Sequence, residues 1–343
     1  MSKIISNPKS YTGKELDTIF FRPLATGADM QALGFRIMYN TPVPVTLNYW
    51  GRSGDVLKKY QKGWQGGSLA NKYQKTIALN KVKAEMSYSA EDYFGMIYEL
   101  ITNRSDVNLD SLSGTDLEKA EIQLFQHALL EDLRITSIFG DFSKYATTPA
   151  YNSFTGFLTR IIADTTAGGA DTPTQVEYYP VSSDPDAAIS LFSTMWEAAP
   201  AVLKAMKGQN SLAFYVTSDI YENYEKALEG TFLETAFAAL KNGQNGLTWH
   251  GIRIIDLGVT EWMKLNSYPV SSFAFLTDKR NVALALNTNY YPGMEARMWY
   301  NPDEMENRQR TIFMAGADYL LPELIVFAKE IPLPEAPTGG SET

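Results

Sequence analysis

The sequence predicts an α+β protein, and three observations support this prediction. Thr115 and Glu118 form a capping box that opens a long helix, whose apolar periodicity runs without interruption to Gly140. Strand-like runs of β-branched and aromatic residues lie before and after this helix. Between 180 and 290, strands alternate with helical segments, which is typical of a compact α/β unit.

Composition narrows the class of protein. The 343 residues are enough for a large core and suggest about two domains, and 45% apolar with 20% charged residues is ordinary for a folded chain. The absence of cysteine excludes disulfides, thiolate metal sites and cysteine nucleophiles. No apolar run reaches the ~18 residues of a membrane span, and the N-terminus has no signal-peptide pattern. We therefore expect no membrane insertion or export.

Charge is distributed unevenly along the chain. The formal net charge is −9, but residues 51–83 contain eight basic residues and one acid, so this segment is +7 and the remainder is −16. Complementary potentials favour association, so a basic arm on an acidic body is expected if the arm lies on another copy of the same chain. A solvated lysine-rich loop is the alternative, and both interpretations stay open at this point.

The first ninety residues predict extended structure. Residues 1–35 sustain no period and are expected to form an arm that becomes ordered only on a partner surface. A strand is predicted at 43–50, with 75–89 as its partner and a long polar tip between them. Because two strands alone are marginally stable, this hairpin is expected to pack elsewhere, including on another subunit.

The long helix is predicted at about 115–139, a rod of roughly 36 Å at 1.5 Å per residue. A shorter helix is expected at 90–102. The loop between them alternates Asp106, Asn108 and Asp110 as a calcium loop does, but Ser111 and Leu117 occupy its glycine and glutamate positions, so calcium is not predicted.

The second half is expected to alternate helices and strands. Asp184 and Pro185 predict the start of a helix that runs to Lys207 and is kinked or divided at Pro200. The other predicted elements are a helix at 156–163, strands at 211–217, 252–257, 273–277, 294–300 and 311–331, and a helix from Ser218 to Gly230.

No residue is predicted to be catalytic or to bind a metal or cofactor. The two histidines, His127 and His250, stand in no catalytic or metal-binding motif. The acids at 303, 304 and 306 lie in a polar run that indicates a solvated loop. The basic arm, in contrast, carries aromatic residues that are difficult to place in a core. We predict contacts with another subunit for Arg52, Lys58, Lys59, Lys62, Trp64, Lys72, Tyr73 and Lys75.

The order of these elements resembles that of a known family. The stretches that carry the resemblance are 129–141 (ending IFGD), 154–158 (FTGFL), 212–228 (LAFYVTSDIYENYEKAL), 249–258 (WHGIRIIDLG), 275–286 (FLTDKRNVALAL) and 308–331 (RQRTIFMAGADYLLPELIVFAKEI). In this order, they resemble the HK97-fold major capsid proteins of tailed bacteriophages.

The resemblance implies both architecture and function. It implies an α+β HK97-like capsid fold divided into an N-terminal arm (1–35), an extended E-loop hairpin (36–89), a P-domain with a long spine helix (90–179), an α/β A-domain (180–290), return strands of the P-domain (291–331) and a flexible tail (332–343). The implied protein is structural and not an enzyme. It would assemble in the host bacterial cytoplasm into hexamers and pentamers of an icosahedral virion capsid.

The same resemblance implies partners. The shell would enclose double-stranded DNA without sequence-specific binding, and separate scaffolding, portal and decoration proteins would be its partners. Two alternatives are kept. An encapsulin, the shell of a bacterial nanocompartment, resembles the same plan, and a carbohydrate-active enzyme would need a pocket with paired carboxylates about 5–10 Å apart.

Overall fold

A computed structural model describes a large part of the chain, and every structural statement below concerns these residues. They are 9–11, 30, 33–39, 45–52, 59–63, 70–89, 116–143, 151–169, 172–184, 186–230, 246–266, 268, 270–287, 295–301, 303–304 and 306–332.

Strands and helices both contribute to the described fold. The strands are β1 (Lys9–Tyr11), β2 (Arg36–Tyr39), β3 (Val45–Arg52), β4 (Ala70–Ile77), β5 (Asn80–Ser89), β6 (Thr174–Tyr178), β7 (Leu212–Val216), β8 (Thr248–Trp249), β9 (Ile252–Asp256), β10 (Phe273–Asp278), β11 (Val282–Asn287), β12 (Glu295–Asn301), β13 (Glu306–Tyr319) and β14 (Ile325–Glu330). The helices are α1 (Asp116–Phe139), α2 (Phe157–Ala167), α3 (Ala187–Ala198), α4 (Ala201–Ala205), α5 (Ser218–Gly230) and α6 (Thr260–Leu265). The mixed α+β class predicted from the sequence is confirmed.

The chain divides into two compact units. Unit 1 comprises 1–29, 37–156 and 284–318, and unit 2 comprises 30–36, 157–283 and 319–343. The chain passes from unit 1 to unit 2 at 156/157, whereas the sequence predicted a domain boundary at 179/180.

Unit 1 is built on the strand β13. Antiparallel β12 pairs with its residues 306–312, and antiparallel β5 pairs with 306–315. The sheet continues from β13 through β11 to β2, and β1 pairs with β12. The N-terminal segment, predicted to be extended, therefore forms a strand at Lys9–Tyr11.

The prediction of a single long strand as the partner of the first hairpin strand is wrong. The sequence predicted one strand over 75–89, but β4 ends at Ile77 and β5 begins at Asn80. The spacing of the apolar residues explains the break. Ile77 and Leu79 stand at odd-numbered positions and Val82 at an even-numbered one, so in a single pleated strand they would point to opposite faces. β3 therefore pairs with β4, from Val45 opposite Ile77 to Arg52 opposite Ala70, and β5 pairs with β13.

The long helix α1 spans Asp116–Phe139, as predicted from its apolar period. Phe125, Leu129 and Leu133 of the predicted face are buried. The capping residue Thr115 lies outside the described residues. The helix ends at Gly140, whose N–H donates to the Thr136 carbonyl at 2.9 Å.

Two glycines fold the chain back against the end of α1. Gly156 N donates to the Gly140 carbonyl oxygen at 2.8 Å, and Asp141 N donates to the Tyr151 carbonyl at 3.1 Å. A Cβ at position 140 would lie within 3.0 Å of the Phe154 carbonyl, and one at 156 within 3.0 Å of the Ile138 carbonyl. No side chain fits at either position, because the two backbone segments are in direct contact.

Unit 2 contains a sheet in the order β6-β14-β10-β7-β9-β8, with helices packed on it. The central strand β7 is buried along its whole length. Phe214 points to a core shared with α3 and α5, where its ring is 4.8 Å from Phe192. Tyr215 points to the other face and stacks between Phe35 and Phe275, at 4.7 and 4.9 Å. Both faces of this sheet are therefore covered.

The start of the helix after Asp184 needs a correction. α3 begins at Ala187, and Asp184 instead accepts a hydrogen bond from Asp186 N at 3.0 Å, which forms a turn before the helix. The N-cap residue Asp186 makes no side-chain capping bond. Asn223 of α5 replaces it by accepting from Ala188 N at 3.0 Å. The predicted division at Pro200 is confirmed by the separate helix α4.

The closing segment is also not one strand. β13 begins at Glu306, five residues earlier than predicted, and β14 begins only at Ile325. The 3-10 turn Pro322–Leu324 separates them, because proline has no N–H to continue a ladder. β14 then enters the sheet of unit 2, parallel to β6 and antiparallel to β10.

The remaining predicted elements divide into two groups. The structure bears out the strands near 211–217, 252–257, 273–277 and 294–300, the helix from Ser218 to Gly230, and a helix near 156–163 that extends to Ala167. The predicted helix at 90–102, the loop with Asp106, and the tail from residue 333 lie outside the described residues.

We expect Gly140→Ala to destabilise the protein by about 3 kcal/mol, because the added methyl would overlap backbone atoms that cannot move independently. Urea unfolding of the unassembled chain measures this change. Gly208→Ala is the control, since a Cβ there would meet no atom within 4 Å. Equal effects of the two substitutions would contradict the close-approach interpretation.

Candidate interaction surfaces

The described residues contain no cluster suited to metal binding. Within them, no group of three or more histidine, aspartate or glutamate residues is placed to hold a metal ion. His250 lies on an exposed turn with a left-handed backbone (φ 47°), and its ring is edge-on to Trp249 at 4.3 Å. The side chain of His127 lies outside the described residues. In the described parts of the chain, no helix is long and apolar enough to cross a bilayer.

The hairpin β3/β4 forms a two-stranded sheet of its own. Eight residues of each strand are paired, a length of about 26 Å at 3.3 Å per residue. No other described strand joins either of its edges. A two-stranded ribbon is marginally stable in water, so this hairpin is suited to contact a further surface.

Six of the eight residues predicted for inter-subunit contact are described by the structure, and they lie in the hairpin strands or between them. Lys59 and Lys62 are exposed at its tip, and Tyr60 between them is 90% exposed. Arg52 ends β3 opposite Ala70, while Lys72 and Tyr73 pair with Trp50 and Tyr49. Lys58 and Trp64 lie outside the described residues. That these residues contact another copy remains a prediction.

The base of the hairpin is attached to β13. The Lys75 ammonium lies 3.2 Å from the Asp318 carboxylate, whose side chain is only 3% exposed. A Cβ on Gly316 would lie within 3.0 Å of the Ala78 carbonyl oxygen, so the turn between β4 and β5 rests directly on the β13 backbone. The base is therefore fixed, while the tip extends into solvent.

A cleft of about 290 Å³ lies in unit 1 between α1, β5 and the loop that follows α1. The residues that line it are Val82, Lys83, Ala84, Glu85 and Met86 of β5, Phe125, Ala128, Leu129, Asp132, Leu133 and Thr136 of α1, Tyr151, Ser153 and Phe154 of the loop, and Phe313 of β13. The interior of the cleft is thus apolar and aromatic, and the exposed charged side chains Lys83, Glu85 and Asp132 lie at its rim.

The charges at the rim are mainly acidic. Burial in the cleft, and after it the neighbouring Glu131 carboxylate, raises the pKa of Asp132. Glu85 on the opposite wall forms an ion pair of 2.7 Å with Lys83, and both side chains are about half exposed. Asp132, with Glu131 beside it in α1, is therefore an acidic position of the cleft at which an additional cation would be favoured.

One wall of the cleft has an unusual backbone. Tyr151 has φ 35°, a left-handed conformation that residues with a Cβ seldom adopt. Its carbonyl is held by Asp141 N, just beyond the end of α1. This hydrogen bond therefore holds Tyr151 beside the end of the helix.

Sequence reasoning did not find this cleft, although one signal pointed to it. The apolar edge Leu124 and Ala128 continues at the next i+4 position with Asp132, where an apolar residue is expected. An acid at the end of an apolar stripe indicates a half-buried carboxylate.

Comparison with known proteins identifies the fold. No protein-family model matches the sequence, and no curated protein matches it. Among solved structures, a chain of the satellite phage P4 procapsid matches over 96% of this chain and 95% of that one, with a TM-score of 0.59 and 8% identity. The capsid of Myoviridae phage XM1 matches over 87% and 90% (TM-score 0.51, 9% identity), and the capsid of a native GTA particle over 88% and 89% (TM-score 0.53, 12% identity). The chain thus shares the fold of these capsid proteins.

We expect Lys75→Met to lower the free energy of unfolding by about 1–3 kcal/mol, because it removes the cation beside the buried Asp318 carboxylate. Urea unfolding checks this value. Lys83→Met is the matched control: its partner Glu85 is exposed, so its cost should stay within about 0.5 kcal/mol. Similar costs for the two variants would mean that Asp318 does not depend on Lys75.

We expect Asp132→Asn to stabilise the unassembled chain at neutral pH. The folded-state pKa of Asp132 is raised, so its ionisation costs more in the folded than in the unfolded state. The gain should be complete above the folded pKa, shrink as the pH falls through it, and vanish below the unfolded value near 3.8. Urea midpoints across this pH range measure it.

The exposed Asp303→Asn is the control for the loss of one negative charge. A gain at Asp132 that does not change with pH, or an equal gain at Asp303, would contradict the proposed cause.

Proposed function

We propose that this protein is the major capsid protein of a bacteriophage and assembles with copies of itself into a closed icosahedral shell. The observation that supports this best is the shared fold with a chain of the P4 procapsid, which extends over nearly the whole length of both chains. A likeness confined to one domain would point to a common module, whereas this one includes both units.

The two units support an assignment of the parts of the proposed shell subunit. We assign unit 1, with α1 as its spine, to the P-domain together with the N-terminal arm, and β3/β4 to the E-loop. We assign unit 2, with its sheet covered on both faces, to the axial A-domain. Subunits of this design would form hexamers and pentamers, and each E-loop would extend over a neighbouring subunit.

The charge of the chain supports enclosure of DNA without sequence-specific binding. The net charge of −9 does not favour coating of a polyanion, and the +7 segment at 51–83 is better matched to the acidic remainder of another copy. Assembly would take place in the host cytoplasm, with separate scaffolding, portal and decoration proteins.

Neither alternative is favoured by the observations. The three structures compared above are phage or GTA capsids, which supports a phage shell over an encapsulin. For a carbohydrate-active enzyme, the cleft does hold two carboxylates, Glu85 and Asp132, but Glu85 is paired with Lys83 and the fold is that of shell proteins.

Negative-stain microscopy of the expressed chain, alone and with neighbouring phage genes, tests this function. We expect closed particles of uniform size. A monomer under all of these conditions would refute the proposal, and particles filled with an enzyme encoded beside the gene would identify an encapsulin instead.

We expect reversal of charge at Lys58, Lys59 and Lys62 to abolish closed particles and leave the subunit folded, because the hairpin tip would then repel the acidic body of its neighbour. Electron microscopy and circular dichroism measure the two effects. Reversal of Lys207, Lys226 and Lys264 in unit 2 is the control of equal charge change. If both sets abolish particles alike, net charge and not the hairpin is responsible.

A further inference from the structure

We propose that the cleft of unit 1 is the receptor for the hairpin tip of a second copy, with the Tyr60 ring inside the cleft and Lys59 and Lys62 against Glu131 and Asp132. This inference rests on the proposed self-assembly and specifies which surface of the neighbour the hairpin recognises.

We assign the occupant to another copy because the described residues of the hairpin tip do not enter the cleft of their own chain. The residues at 59–63 are all exposed, and none of them lines the cleft. The base of the hairpin is fixed to β13 by Lys75 and by the close approach at Gly316. A ribbon of about 26 Å held in this way presents its tip to a neighbour.

Shape and polarity of the cleft fit a tyrosine. Its volume of 290 Å³ lies just below the ~300 Å³ at which pockets for small molecules begin, which is room for one aromatic side chain. Phe125, Phe154 and Phe313 line it and would contact the ring, while the rim stays polar for the phenol oxygen. Tyr60 is 90% exposed in the single chain, so docking would bury most of an aromatic ring.

Opposite charges on the hairpin tip and at the cleft would orient the docked hairpin. Lys59 and Lys62 flank Tyr60, while Asp132 lines the cleft and Glu131 lies next to it in α1. In the single chain, burial and the Glu131 charge make ionised Asp132 unfavourable, as its raised pKa records. A lysine from a neighbour would offset this cost, since Lys83, the cation among the described lining residues, is paired with Glu85.

The receptor is also ordered before docking. The loop with Tyr151 and Phe154 is held against the end of α1 by the Asp141 and Gly156 hydrogen bonds. A rigid wall loses little conformational entropy on binding, so more of the contact energy is available for association.

Cross-linking of assembled particles tests the proposal, and the chain contains no native cysteine that would interfere. Chains carrying Gln61→Cys, which keeps the Tyr60 ring, and chains carrying Ser153→Cys are mixed, assembled and treated with a short bis-maleimide. We expect a shift from monomer to covalent dimer in denaturing gels. In the control mixture, Ala163→Cys, which is exposed on α2 of unit 2, replaces Ser153→Cys and should leave the chains monomeric.

The outcomes separate this inference from the proposed function. Particles without the dimer, or with equal dimer in the control mixture, would overturn the docking site and leave the shell function intact. Failure of the unmodified chain to form any particle would overturn the shell function itself.

A charge exchange provides a second measurement that does not depend on cysteines. Lys59→Glu with Lys62→Glu, and separately Glu131→Lys with Asp132→Lys, should each cause loss of particles. The four substitutions together in one chain should restore them, because the signs match again. Loss of particles in the combined variant, with a folded subunit by circular dichroism, would overturn the pairing.

Discussion

The hydrogen bonding of β13 along both edges is the constraint on which unit 1 depends. Over residues 306–312 this strand pairs with β12 and β5 at once, and its C-terminal part holds the base of the hairpin through Asp318. Backbone contact at Gly316 leaves no room between the strand and the turn at Ala78. Because one strand connects the sheet, the hairpin and the cleft wall at Phe313, a change in its register would displace all three.

A subunit of the proposed shell must be stable alone and yet leave surfaces for its neighbours. Unit 2 meets the first requirement with a sheet buried on both faces, where Phe214 and Tyr215 pack in opposite directions. Unit 1 meets the second with an open ribbon and a half-apolar cleft, two features that an isolated protein would be expected to close. The division between a completed core and incomplete edges matches the demands of assembly.

Much of the fold could be predicted from local sequence, and the errors have clear physical causes. α1 and the strand at 273–278 follow from apolar periodicity and β-branched or aromatic content, which act within a few residues. The start of α3 could not be predicted from nearby residues, because the backbone N–H of Ala188 in its first turn donates to the side chain of Asn223, 35 residues away. The break at 78–79 was visible as a change in parity, but its significance depends on which strand each half joins.

Of the two candidate surfaces, the hairpin could be predicted from the sequence and the cleft could not. The basic hairpin was evident, because lysines concentrated between 51 and 83 are a property of composition. The cleft was not, since its walls come from helix, strand and loop residues up to 231 positions apart, from Val82 to Phe313. The one local sign of the cleft in the sequence was Asp132, an acid at a position of α1 where an apolar residue is expected.

The place of β14 in its sheet has a consequence for synthesis in the cell. This strand lies between β6 and β10, so residues 325–330 complete a sheet whose other strands leave the ribosome much earlier. A nascent or prematurely terminated chain would therefore lack an interior strand of unit 2 and be left with two unpaired edges. If the chain forms the proposed shell, such fragments would lack a complete unit 2 and would not replace a full-length subunit.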